Sequence, residues 1–140
     1  MTVQDLHKLT DSRQLLEEWS GLAPDVCKKK VPFPEVPDFI CFQIRLGSSN
    51  YELTEPFNAE LANSYPWVPS EYELAMLDRA VVRSAESRGW DGSSHRCNES
   101  HYVAQISLDT EIFTCTSAIA EDRAIALLAA YLKALRGKFE

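Results

Sequence analysis

The chain has 140 residues, 45% hydrophobic and 25% charged, which fits one compact domain with a sizeable core and excludes wholesale disorder. Its formal charge of −7 is the wrong sign for a non-specific nucleic-acid binder or for a partner of anionic membranes, both of which rely on Lys and Arg. No run approaches the roughly 18 apolar residues of a membrane span. Met1 to Asp5 carries neither the basic region nor the apolar core of a secretory signal. The four cysteines, Cys27, Cys41, Cys97 and Cys115, form no CxxC pair, so the expectation is reduced thiols in a cytoplasm.

Three segments follow one another: a helical segment over 1–26, a proline- and aromatic-rich arm over 27–68, and an αββα core over 69–140. In the first, Asp11 caps a short helix with Leu15, Leu16 and Trp19 on one side, ended by Gly21 and Pro24. From Cys27 to Pro37, three lysines and then prolines at every second or third position read as an extended connector laid on the surface. Phe39 to Arg45 reads as a strand, Gly47 to Asn50 as a turn, and Tyr51 to Thr54 as a short returning partner. Phe57, Leu61, Tyr65 and Trp67 suit one packing patch bounded by Pro66 and Pro69.

The second half is more regular. Ser70-Glu71-Tyr72-Glu73 is a capping box, followed by Leu74, Leu77, Val81 and Ala85 at helical spacing and by Gly89 at the exit. Ser93 to Cys97 reads as a short strand. Tyr102, Ala104, Ile106 and Leu108 alternate with Val103, Gln105 and Ser107, the period of a half-buried strand. Asp109-Thr110 turns the chain, and Ile112 to Thr116 returns it. Ala124, Ile125, Leu128, Tyr131, Leu132 and Leu135 stripe a final amphipathic helix. The fold class is α+β: a small antiparallel sheet with two C-terminal helices packed on it, plus an N-terminal helix and an added hairpin.

Val68 to Ala75, the Arg88-Gly89-Trp90 exit, the hairpin and Ala124 to Leu135 together resemble the phage ABA-sandwich domain family over roughly residues 69–137. That resemblance implies a small αββα module of a tailed phage or prophage. It does not cover Cys27 to Trp67. The same order is similar in topology to double-stranded-RNA-binding domains, with His101-Tyr102 where that family places a loop histidine and an aromatic-led strand. The lysine cluster that grips phosphate in that family is replaced by Ala118 to Arg123, where Glu121 and Asp122 repel phosphate. Nucleic-acid binding is therefore not expected.

One cluster has the chemistry of a metal site: His95, Cys97 and His101, with Cys115 across the hairpin as a fourth ligand. Its spacings are not those of a zinc knuckle, and the alternative is a polar loop with two exposed histidines and a buried cysteine. No cysteine-enzyme signature surrounds Cys97, the paired carboxylates sit on helices, and five scattered glycines build no phosphate cradle. The expectation is a protein that is not an enzyme and needs no cofactor. Among the aromatics Trp19, Phe33, Phe39, Phe42, Tyr51, Phe57, Tyr65 and Trp67, core roles are expected for Trp19 and Phe42. Candidate binding residues are Tyr65, Trp67, His95, Arg96 and His101.

The leading function is a phage or prophage accessory protein that binds another macromolecule, as an inhibitor of a host defence system would. The alternatives are a protein sequestering a nucleotide-like ligand and, last, a nucleic-acid binder on a dsRNA-like fold. Self-association is expected through the Phe39–Thr54 hairpin or the aromatic loop, because small sheets leave edges to cover.

Overall fold

A computed structural model describes residues 12–35, 37, 40–46, 49–54, 70–109 and 114–137. Helix α1 (Ser12–Leu22) buries Leu15, Leu16 and Trp19 on one face, the three apolar positions its sequence aligned. The chain leaves it through a turn in which Ala23 N–H donates to Trp19 C=O, and Cys27 N–H to Ala23 C=O.

The first sheet is antiparallel, in the order β1 (Cys27–Lys30), β2 (Cys41–Leu46), β3 (Ser49–Thr54). Cys27 pairs with Ile44 and Lys29 with Phe42. Cys27, Phe42 and Ile44 are buried, while β1 carries Lys28 and Lys29 exposed. The lysine run is thus an edge strand, and the expected connector over Cys27 to Lys30 is corrected. A strand with a single apolar residue has no alternation to announce it; pairing to β2 creates it.

Helix α2 (Glu71–Ser87) begins at the expected capping box. The Glu73 N–H donates to Ser70 Oγ at 3.2 Å, and the Ser70 N–H to Glu73 Oε1 at 3.0 Å. Leu77, Ala80, Val81, Ser84 and Ala85 form its buried face. It ends at Gly89, whose φ of +77° is a conformation that costs any side-chain-bearing residue about 1–2 kcal/mol.

The second sheet is also antiparallel: β4 (Asp91–Arg96), β5 (Tyr102–Asp109), β6 (Thr114–Ala120). Ala104, Ile106, Thr116, Ala118 and Ala120 are buried on one face, and Gln105 on the other is exposed. Strand β4 starts at Asp91, two residues before the expected start, and Cys97 lies beyond its end and is exposed.

Helix α3 (Arg123–Leu135) is capped by Asp122, whose Oδ1 accepts from the N–H groups of Ala124 at 2.7 Å and Ile125 at 3.4 Å. Every residue from Ala124 to Leu132 is buried. The expected one-sided stripe is therefore corrected: α3 is enclosed all round, as a helix apolar on every face must be. It packs on the second sheet, on α2 and on α1, while α2 reaches β4 of one sheet and β2 and β3 of the other. One apolar core runs from Leu15 to Ala134. Tyr131 links its parts, with Trp19 and Trp90 each edge-on at 5.9 Å. The chain is an α+β protein whose two small sheets share their helices.

Candidate functional site

The polar end of the second sheet is a tight hairpin that holds itself together. Cys97 donates to His101 C=O through its N–H at 3.0 Å and its Sγ at 3.4 Å. Asn98 Oδ1 accepts from Ser100 N–H at 2.8 Å, and His101 Nδ1 lies 2.9 Å from Ser100 Oγ and 3.3 Å from Asn98 Oδ1. Arg96 Nη2 donates to Glu99 C=O at 2.8 Å, with its guanidinium 6.0 Å from the Tyr102 ring centre. His101 and Arg96 thus bond within the turn, and that bonding gives it its shape.

The four metal-ligand types are not brought together. His95 pairs with Val103, whereas Cys115 pairs with Ser107, four residues along β5 and one strand further over. At about 3.3 Å per residue that is on the order of 13 Å along the strand. Among the described residues, no group of three or more His, Cys, Asp or Glu side chains is placed to hold a metal ion. Tyr65 and Trp67 lie outside the described residues.

Cys27 and Cys41 have the environments of structural cysteines. Burial pushes the Cys27 thiol up to about 12, and its Sγ sits 3.8 Å from Leu16 C=O. Burial, then the Glu52 carboxylate, raises the Cys41 thiol against the opposing charge of Lys30. Burial likewise raises the Tyr131 hydroxyl, partly offset by Arg88, whose Nε donates to it at 3.1 Å. A nucleophilic thiol needs the opposite shift.

The arm after β1 is different in character. Val31 and Phe33 are 44% and 51% exposed, and Leu22 at the end of α1 is 43% exposed. Lys28 precedes them in the open, while Lys29 is held at 2.9 Å by Glu17. Phe33 stood among the aromatics read from the sequence; Val31, Leu22 and Lys28 had no signal there, since a three-lysine run next to prolines reads as solvated linker.

What the geometry defines is a compact α+β protein presenting an exposed apolar arm beside a basic edge strand. No described helix is long and apolar enough to cross a membrane. Comparison with protein-family models, with curated proteins and with solved structures returned no match.

Proposed function

We propose that this protein acts by binding another protein, without catalysis, through the arm that follows β1. The observation that carries the reading is the exposure of Val31 and Phe33 directly after Lys28-Lys29-Lys30. Val31 and Phe33 each keep about half of their surface in solvent, so a partner gains apolar burial there, and aromatic anchors ringed by polar groups dominate interface energies. The lysines favour a partner with carboxylates around an apolar pocket, because opposite charge raises the rate of encounter. Phage or prophage origin and inhibition of a host defence protein extend this reading from the ABA-sandwich resemblance, by analogy of fold.

Capture from bacterial lysate tests it, with wild type compared against the double variant Val31→Asp/Phe33→Asp. The expected result is a protein retained by wild type and lost by the variant, which keeps its native circular dichroism. Equal capture by both, or no capture together with no effect on phage plating, overturns the reading.

A further inference from the structure

We infer that the β4 edge of the second sheet pairs with the β4 edge of a second copy of this chain, making one continuous six-stranded sheet. This does not rest on the partner-binding reading above, since it uses the other sheet and a different edge.

The phase of the ladder decides which groups face outwards. Cys97 N–H donates to His101 C=O in register with the β4–β5 pairing. Asp91, Ser93 and His95 therefore bond towards β5, and Gly92 and Ser94 turn their N–H and C=O to the edge. Among the described residues no strand pairs with β4 on that side. Open rows of such groups are templates for another strand.

The two other edges whose side chains are described are guarded. Strand β6 turns Ser117 C=O outwards, where Lys133 Nζ of α3 donates to it at 2.7 Å. Strand β1 paired with its own copy would set Lys28 opposite the partner's Lys30 and Lys29 opposite the partner's Lys29, which is repulsive.

Strand β4 is self-complementary instead. A two-fold axis perpendicular to the sheet through Ser93 keeps the same face outwards in both copies. It lets Gly92 and the partner's Ser94 exchange N–H···O bonds, and the reverse pair does the same. It also sets Asp91 opposite the partner's His95 twice, in the closer type of cross-strand pair. Asp91 and His95 are exposed on the uncovered face. The imidazole N–H donates to the carboxylate whether the ring is neutral or protonated. Gly92, Ser93 and Ser94 at the centre are small, so nothing bulky keeps the strands apart.

Sedimentation velocity over a concentration series tests the pairing. Wild type is expected to dimerise, and His95→Asp, which opposes carboxylates at both pairs, to weaken the dimer about tenfold. The swapped double variant Asp91→His/His95→Asp restores the pairs and is expected to return the dimer to near wild-type strength. Ser94→Pro removes only an outward N–H, so it is expected to be monomeric with native circular dichroism. Wild type that stays monomeric up to about 1 mM overturns the proposal. So does a His95→Asp variant that dimerises like wild type, or a double variant as weak as the single one. Should Ser94→Pro lose its native spectrum, the charge swap alone decides.

Discussion

Replacing Leu127 with alanine separates an enclosed α3 from a helix with a single apolar stripe. A stripe through Ala124, Ile125, Leu128, Tyr131, Leu132 and Leu135 leaves Leu127 outside it, about 100° round the helix from its centre, where alanine costs little or slightly favours the helix. In the structure Leu127 is 2% exposed. Its Cδ2 lies 3.7 Å from where a Cβ on Gly92 would stand, and Ile106 Cδ1 is 3.3 Å from the same point. Deleting three carbons there forfeits about 2.4 kcal/mol of transfer free energy, at about 0.8 kcal/mol per buried methylene. The residual cavity raises the loss to about 3 kcal/mol, within the range for buried leucines. For a domain of this length that lowers Tm by about 10 °C. Urea and thermal unfolding followed by circular dichroism read the change. A loss below about 1 kcal/mol would refute the enclosed helix. Gly92→Ala in the same background partly refills the space, so the two substitutions are expected to be non-additive.

Thiol labelling of the native protein at pH 8 is expected to modify exposed Cys97 fastest and half-buried Cys115 more slowly, sparing Cys27 and Cys41 until denaturant is added. Rapid native labelling of Cys27 would contradict its burial and its thiol at about 12. Burial acts to raise the Glu17 carboxyl, but the hydrogen bond and charge of Lys29, with Arg13, outweigh it and hold it below its usual value. A depressed carboxyl adds stability above the unfolded pKa of about 4.3 and loses it as pH falls through the folded value. Lys29→Ala is therefore expected to lower stability at pH 7 by less than about 1 kcal/mol, the pair being partly exposed, and to make no difference near pH 2. An effect that grows on acidification would show the sign to be wrong.

The elements that declared themselves in the sequence are those whose stabilisation is local. Ser70 and Glu73 lie three apart and bond each other, so four letters sufficed to place the start of α2. The alternation of Ala104 and Ile106 with Gln105 is set by one covered face, and it reads directly. Strand β1 was hidden because its pairing to Phe42 and Ile44 comes from a distant segment, and lysines carry no strand signal. The enclosure of α3 was hidden too. Alanines suit an exposed helix face and a close-packed one equally, so Ala126, Ala129 and Ala130 could not announce that sheet and helices surround them. At the candidate site, residue type left a metal cluster open as a minor alternative to a polar loop, and register decides between them. Histidines and cysteines close in sequence looked like ligands, but the order β4-β5-β6 puts Cys115 two strands away from His95.

Site-specific photo-crosslinking tests partner binding by the arm most directly. A benzophenone-bearing amino acid is placed at position 33 and, as a control, at position 72, where Tyr72 is 73% exposed on the first turn of α2. The expected result is a discrete covalent adduct from position 33, suppressed by Val31→Asp, with none from position 72. Adducts of equal yield from both positions, or none from position 33 in a natively folded protein, would contradict an arm built to dock.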